Sequence, residues 1–221
     1  MKYFKINLIL LLLFSCSVSK KIVSKPILFD EERTQLTLDY LANRYGLKQE
    51  SPTITPKMIV LHWTAIPTLE KTFDAFNKST LPNWRPYIEA ASGLNVSSQF
   101  VVDRDGTIYR LMPETTMARH VIGLNHCAIG IENVGDTKDT PLTKKQVNAN
   151  IWLVKYLTKK YDIEYLIGHY EYKNFEETEL WMEKDPGYRT EKTDPGEDFL
   201  NAVKKGVKRL NLKSAPQKPE H

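Results

Sequence analysis

The spacing of apolar and polar positions changes along this chain, and each change predicts a structural element. Nearly continuous apolar runs at 58–63, 128–134 and 163–168 are typical of short strands buried on both faces. Residues 98–103 and 107–112 flank an Asp-Gly turn and predict a β-hairpin. The strands together predict a sheet with a buried centre.

Helical patterns occupy the stretches between the strands. Four stretches are predicted to be helical: 30–45, 68–78, 141–161 and 196–210. Strands interleaved with helices predict a single α/β domain with a central mixed β-sheet flanked by helices. We expect this domain to span residues 30–212 and to be followed by a disordered tail at 213–221.

The first fifteen residues have the pattern of a secretory signal. A basic start with Lys2 and Lys5 precedes an apolar run at 6–14, which is far shorter than the roughly twenty residues of a membrane span. Ser15 before Cys16 resembles a bacterial lipobox, in which the cysteine is acylated and becomes the new N-terminus. We therefore expect a lipoprotein signal peptide at 1–15, lipidation of Cys16 and a tether at 16–29. The mature protein is expected at the outer membrane, facing the periplasm.

Composition narrows the choice of partners. Removal of the signal would leave 206 of the 221 residues, and loss of Lys2 and Lys5 would lower the formal net charge from +4 to +2. No run of Lys or Arg stands out along the sequence, so nucleic acid is not an expected partner. With Cys16 acylated, Cys127 has no cysteine to pair with, and we expect a buried, unreactive thiol.

Two histidines and one aspartate stand where strands end or chains turn. His62 lies near the end of the first buried strand, His169 follows Gly168 at the end of another, and Asp194 lies in an Asp-Pro-Gly turn. A lone histidine of this kind is more often a core residue that bonds a backbone carbonyl. Two imidazoles with one carboxylate, however, can hold Zn²⁺ and leave its fourth position open for water, as hydrolytic zinc sites do.

Six short motifs together resemble the zinc-dependent N-acetylmuramoyl-L-alanine amidases of the type-2 amidase and peptidoglycan-recognition protein family. In chain order they are Ile59-Val-Leu-His62, Val96-Ser-Ser-Gln-Phe-Val-Val-Asp-Arg-Asp-Gly106, Arg119-His120 followed by Gly123, Ile129-Gly-Ile-Glu132, Gly168-His169 and Lys192-Thr-Asp-Pro-Gly196. Each motif alone is weak, but six in the family's order across 58–200 are specific. The resemblance implies a zinc ion held by His62, His169 and Asp194.

The resemblance also implies the roles of three further residues. Glu132 is expected to orient or deprotonate the attacking water, Lys192 to face the developing oxyanion, and His120 to bind substrate in the wall of the cleft. The family usually has tryptophan before this histidine, whereas this chain has Arg119, which leaves the role of His120 open. The alternative for Glu132 is an ion pair with a surface lysine, and without the motif Lys192 would be taken for an ordinary exposed lysine.

The segment before the last motif departs from the family in length. Twenty-four residues separate His169 from Asp194, and they include a second Asp-Pro-Gly turn that begins at Asp185. Because Lys192 precedes only the second turn, we expect Asp194 rather than Asp185 to be the ligand. Residues 170–185 are rich in aromatics, and we expect them to wall the cleft, either by stacking on substrate or by packing the segment down.

The function implied is hydrolysis of the amide bond between N-acetylmuramic acid and L-alanine in peptidoglycan or its fragments, by a monomer engaged in cell-wall remodelling or recycling. The alternative is a non-catalytic peptidoglycan-binding protein on the same fold, although such proteins typically lack the third metal ligand. A zinc peptidase of the His-Glu-x-x-His type is excluded because that motif is absent from the sequence. The choice between intact wall and free anhydro-muropeptides stays open.

Overall fold

The computed structural model describes residues 22–82 and 86–217, and its six strands form one sheet. The strands are β1 (Ile22–Ser24), β2 (Met58–Trp63), β3 (Phe100–Val102), β4 (Ile108–Arg110), β5 (Ala128–Asn133) and β6 (Tyr165–Gly168). Their order across the sheet is β1-β4-β3-β5-β2-β6. The β3–β4 pair is the predicted antiparallel hairpin, and the other four pairs are parallel. The predicted single α/β domain with a mixed sheet is confirmed.

Helices cover both faces of this sheet. They are α1 (Glu31–Tyr40), α2 (Leu69–Asn77), α3 (Pro86–Ala91), α4 (Lys144–Leu157) and α5 (Glu197–Gly206). A π-helical turn (Leu41–Tyr45) continues α1, and two 3₁₀ turns follow β6 (His169–Phe175) and α5 (Lys208–Leu210). Side-chain caps fix where α4 begins, because Thr143 accepts a hydrogen bond from the Gln146 backbone and the Gln146 side chain bonds back to the Thr143 backbone.

Alternation along the central strands divides the core into two layers. Ile59 and Leu61 of β2 pack in the cluster that α4 and α5 cover, whereas Met58 and Val60 face the other way. His62 continues the series of Met58 and Val60, so it lies on the face that α4 and α5 do not cover. We call this second face the cleft side of the sheet.

The N-terminal boundary of the domain was predicted wrongly. Residues 22–24 form β1 and pair with β4, and Ile27 is buried, so the fold begins upstream of residue 30. Residues 22–24 and Ile27 therefore belong to the fold and not to the tether expected at 16–29. This edge strand has only three residues, which is too short for a clear alternation of apolar and polar positions in the sequence. Cys16 and the predicted signal peptide lie outside the described residues.

The C-terminal boundary also differs from the prediction. Lys213 forms a parallel bridge with Tyr165, its backbone N–H donates to the Glu164 carbonyl at 2.8 Å, and Ala215 packs against the core. The disordered tail expected from residue 213 therefore does not begin there.

In the part of the chain that the structure describes, no helix has the length and apolar character needed to cross a bilayer.

Candidate metal centre

Three strand ends place the candidate residues together on the cleft side. His62 and Glu132 are register partners on the neighbouring parallel strands β2 and β5. His169 follows β6, which pairs with the opposite edge of β2. Because the carboxyl ends of parallel strands meet at one edge of a sheet, the parallel pairing of β2 with β5 and β6 brings these three side chains together.

Asp194 reaches the same point from a turn that is fastened to β6. Its backbone carbonyl accepts a hydrogen bond from the Tyr170 N–H at 3.1 Å, and its peptide bond to Pro195 is cis. A Cβ atom on Gly168 would lie 2.9 Å from Pro195 Cδ, so only glycine at this position lets the turn approach the strand end.

The predicted ligand atoms converge closely. Nδ1 of His62 lies 3.0 Å from Nδ1 of His169 and 3.0 Å from Oδ2 of Asp194, and the last two atoms are 3.1 Å apart. All three residues are buried. Asp185, the competing aspartate, instead carries a half-exposed side chain that pairs with Arg44 at 3.4 Å. The structure thus brings together the triad that was predicted and leaves Asp185 elsewhere.

The spacing and chemistry of these atoms fit a tetrahedral metal ion. Ligands at about 2.0–2.1 Å from zinc in a tetrahedral site lie about 3.3 Å from each other, close to the three separations found here. Two imidazole nitrogens and one carboxylate oxygen are also the donor set of catalytic zinc sites that keep one position open. These residues could hold a metal ion.

The protonation states of His169 and Asp194 suit metal binding. Burial lowers the pKa of His169 to about 4, so its ring is neutral at neutral pH. Burial alone would raise the pKa of Asp194, but the adjoining His169 and His62 outweigh it and hold that pKa below its ordinary value. A neutral imidazole and an ionised carboxylate are the forms that bind metal ions.

His120 contacts the edge of the His62 ring that faces away from His169 and Asp194. Its Nδ1 is 3.0 Å from His62 Nε2, and its own Nε2 is 3.3 Å from the Ala128 carbonyl oxygen. A Cβ atom on Gly130 would lie 2.9 Å from the His120 ring, so glycine at that position of β5 makes room for it. Burial, followed by the neighbouring His62, keeps the pKa of His120 well below its usual value.

A cleft of about 770 Å³ opens over this centre. Glu132 and Lys192 both line it, together with His62, His120, His169 and Asp194. Glu132 is buried at the end of β5 and Lys192 is half-buried. The positive charge of Lys192 is also one of the influences that lower the pKa of His169, which places this ammonium near the centre.

Arg119 has a structural role in the cleft that the sequence did not reveal. Its buried guanidinium donates to the backbone carbonyls of Ser92 at 3.0 Å, Ile88 at 2.7 Å and Leu94, and to the Tyr188 hydroxyl at 3.0 Å. These bonds tie α3 and the loop after it to the turn that carries Tyr188, and both Ile88 and Tyr188 line the cleft. The available signal was an arginine that precedes His120 inside the mainly apolar stretch 117–124.

The segment 170–185 does not wall the cleft, contrary to expectation. Among the described residues that line the cleft, none belongs to it, and the lining resumes at Tyr188. Tyr172 and Phe175 are instead buried in the core, and Trp181 packs closely over Gly123. Of the two uses predicted for these aromatic side chains, stacking on substrate and packing the segment down, the structure shows packing.

Two further polar or thiol side chains are buried in the core, and the buried, unreactive thiol predicted at Cys127 is confirmed. Gln99 is buried, accepts a hydrogen bond from the Gly130 N–H at 2.7 Å and donates to the Thr116 carbonyl at 2.9 Å. Cys127 is a buried free thiol, and burial raises its pKa to about 12. A thiol with such a pKa is protonated and unreactive at neutral pH.

Comparison with known proteins identifies the family. The sequence profile of the N-acetylmuramoyl-L-alanine amidase family (Amidase_2) matches residues 52–197, about two thirds of the chain. The chain belongs to this family. No curated protein sequence matches it significantly.

Solved structures share the fold. The amidase LysC from Clostridium intestinale URNW is 22% identical, with a TM-score of 0.53 and coverage of 88% of this chain and 100% of the other. An AmpD derivative is 21% identical, with a TM-score of 0.51 and coverage of 82% and 93%. Peptidoglycan recognition protein LE, solved in complex with tracheal cytotoxin, is 15% identical, with a TM-score of 0.50 and coverage of 83% and 92%. At these identities the likeness concerns the fold.

Proposed function

We propose that this protein is a zinc-dependent N-acetylmuramoyl-L-alanine amidase that acts on peptidoglycan or its fragments. The observation that carries the proposal is the convergence of His62, His169 and Asp194 at 3.0–3.1 Å beneath a cleft that Glu132 and Lys192 also line. Membership of the amidase family supplies the substrate class. A non-catalytic peptidoglycan-binding protein would not need a complete donor set together with an acid and a cation.

His62, His169 and Asp194 would hold the zinc ion. When bound there, zinc would act as a Lewis acid that polarises the scissile carbonyl and lowers the pKa of water towards about 7. The burial of all three ligands would strengthen this effect, because few water dipoles could screen the charge.

Glu132 and Lys192 supply the proton transfer and the charge stabilisation. As the water oxygen bonds to the carbonyl carbon of the lactyl group, the Glu132 carboxylate takes a proton from it. The Lys192 ammonium donates to the oxygen that becomes negative. When the C–N bond breaks, the proton held by Glu132 passes to the amine nitrogen of L-alanine. The products are the lactyl carboxylate and a free peptide.

We assign to His120 a positioning role in place of direct substrate binding. Both of its ring nitrogens already lie within hydrogen-bonding distance of protein atoms, so neither is available to a substrate oxygen. If His120 Nε2–H donates to the Ala128 carbonyl, its Nδ1 must accept from His62 Nε2–H. His62 Nδ1 then carries no proton and faces the metal. A ligand histidine commonly has its other nitrogen fixed in this way.

The place of action is proposed from the N-terminal sequence. A lipoprotein signal and acylation of Cys16 would anchor the mature protein at the outer membrane, facing the periplasm, where peptidoglycan lies within reach. Export favours action on the wall, in remodelling or recycling, over action on muropeptides in the cytoplasm.

Mass spectrometry of digestion products tests this function. Mature zinc-loaded protein should release, from sacculi or from soluble muropeptides, glycan with a free lactyl carboxylate and peptide that begins with L-alanine. A chelator should abolish the reaction, and added zinc should restore it. Binding of muropeptides without cleavage by the zinc-loaded protein would instead support the non-catalytic alternative.

A further inference from the structure

The outer surface of α4, α5 and the turn Lys208–Leu210, which we call the α4–α5 face, lies behind the active site. The inner sides of these helices cover Ile59 and Leu61, whereas His62 and the cleft lie across the sheet. The two helices also touch each other, since a Cβ atom on Gly206 would lie 2.2 Å from the Ile151 side chain. The α4–α5 face is therefore one continuous surface that points away from the cleft.

This surface is strongly basic. Residues 144–160 and 197–210 contain nine Lys or Arg and only two Asp or Glu, although the whole chain has a net charge of only +4. The two acids, Glu197 and Asp198, lie in the first turn of α5. The nine cations are Lys144, Lys145, Lys155, Lys159, Lys160, Lys204, Lys205, Lys208 and Arg209. This cluster is not visible in the sequence, because β6 and a long connecting segment separate its two halves along the chain.

Most of these cations form no ion pair in the described part of the chain. Lys160 pairs with Glu114 at 3.3 Å and Lys204 with Glu171 at 3.6 Å. The other seven are exposed, and among residues 22–82 and 86–217 no carboxylate lies within 4.0 Å of their charged groups. Leu210, an exposed apolar side chain, lies at the end of the same basic segment. An apolar side chain among unpaired cations suits the headgroup layer of an anionic membrane.

The first described residue lies on this side of the sheet. Ile22, at the start of β1, packs against the core cluster that α4 and α5 cover. Only five residues lie between Cys16 and Ile22, so the six steps from one to the other span at most about 20 Å when extended. A lipid on Cys16 would therefore hold this side of the domain near the membrane.

We propose that the α4–α5 face lies on a surface of anionic phospholipid and directs the active-site cleft away from the membrane, towards the peptidoglycan. Each Lys or Arg held near such a surface strengthens binding about fivefold, which corresponds to about 1 kcal/mol. The orientation adds to the proposed amidase function but does not depend on it, because the charges that carry it lie outside the cleft.

Vesicle binding tests the proposal without the lipid anchor. The protein is residues 16–221 with Cys16→Ser, which keeps every described residue. It should sediment with phosphatidylcholine vesicles that contain one third phosphatidylglycerol and not with pure phosphatidylcholine. Raising the salt from about 0.1 to about 1 M shortens the Debye length from about 10 to about 3 Å and should abolish binding.

Matched charge reversals locate the binding surface. Lys155→Glu with Lys205→Glu, one on each helix, should weaken vesicle binding at least tenfold. Lys48→Glu with Lys184→Glu, which changes net charge equally at exposed positions near Gly46, should weaken it less than threefold. Zinc content and hydrolysis of a soluble muropeptide should stay unchanged in both pairs, so failure of the amidase function would be seen separately.

Three results would overturn the proposal. The first is no binding to the anionic vesicles. The second is an equal loss in both pairs, which would indicate an effect of net charge alone. The third is a Lys155→Glu/Lys205→Glu variant that keeps its vesicle binding but loses binding to isolated sacculi, which would assign the face to the wall polymer.

Discussion

His62 Nε2 lies 3.0 Å from His120 Nδ1, on the side of the ring opposite to the nitrogen that faces His169 and Asp194. The contact joins the candidate metal centre to the start of β5, because His120 in turn reaches the Ala128 carbonyl. A backbone carbonyl can only accept, so it sets the direction of the whole chain of hydrogen bonds.

Removal of His120 should therefore weaken metal binding. His120→Ala leaves the outer nitrogen of His62 without its partner and should lower zinc affinity about 10–100-fold, measured by competition with a chelator. His120→Asn, whose carbonyl oxygen can still accept from His62, should recover part of the loss. His126→Ala removes a histidine outside the centre and serves as the control. Unchanged zinc affinity with lost turnover would return His120 to the substrate-binding role first predicted for it.

The same substitution in each of the two Asp-Pro-Gly turns tests which aspartate binds the metal ion. Asp194→Ala removes a ligand atom that lies 3.0–3.1 Å from both histidine nitrogens, and should abolish stoichiometric zinc. Asp185→Ala removes a partner of Arg44 and an acceptor for the Gly187 N–H, both outside the candidate centre, and should leave zinc content and activity unchanged. Metal analysis after dialysis measures both. Zinc retained by the first variant and lost by the second would refute the ligand assignment.

Glu132 and Lys192 should affect the reaction more than the metal. Glu132→Gln and Lys192→Met should each keep full zinc content but lower kcat about 10²–10³-fold, because each removes a group that acts as charge develops. Lys184→Met, an exposed lysine outside the cleft, is the control. Loss of zinc from either variant would show that the residue supports the metal instead.

The sequence predicted the centre well because its residues belong to local patterns. His62, Glu132 and His169 each end or follow a short apolar strand, and parallel strands bring such ends together without further information. Asp194 was identified from the residues around it. Family motifs were decisive, since spacing alone does not distinguish Asp194 from Asp185.

The parts that the sequence did not predict depend on contacts distant along the chain. Arg119 reaches residues about 30 positions before it and 69 after it, and no local period reports such bonds. β1 is an edge strand of three residues, and only its pairing with β4, which is distant along the chain, reveals it. The basic α4–α5 face arises because two separated helices pack side by side.

The aromatic segment 170–185 should be essential for stability and not for specificity. Phe175 is fully buried and Tyr172 nearly so, both against strand residues such as Ile167. Phe175→Ala should lower the free energy of unfolding by about 3–5 kcal/mol, measured by urea denaturation, because it leaves a cavity. At low temperature the folded variant should retain its preference between wall and soluble muropeptides. Altered preference without loss of stability would mean that the segment reaches substrate after all.

His126 should make stability depend on pH. Burial lowers its pKa to about 4, and in the described structure its Nδ1 has no hydrogen-bond partner. As pH falls below about 6.5, the unfolded chain takes up this proton before the folded protein does, so the folded state loses stability down to about pH 4. Between pH 7.5 and 5 the loss from this group should be about 2 kcal/mol. His126→Phe keeps a ring that can pack against Tyr45 but cannot take up the proton. Its free energy of unfolding, measured by urea denaturation, should therefore fall by about 2 kcal/mol less between the two pH values than that of the unchanged protein. The residues of the candidate metal centre are the same in both proteins, so their contribution cancels in the comparison. Equal losses in the two proteins would show that His126 keeps an ordinary pKa in the fold.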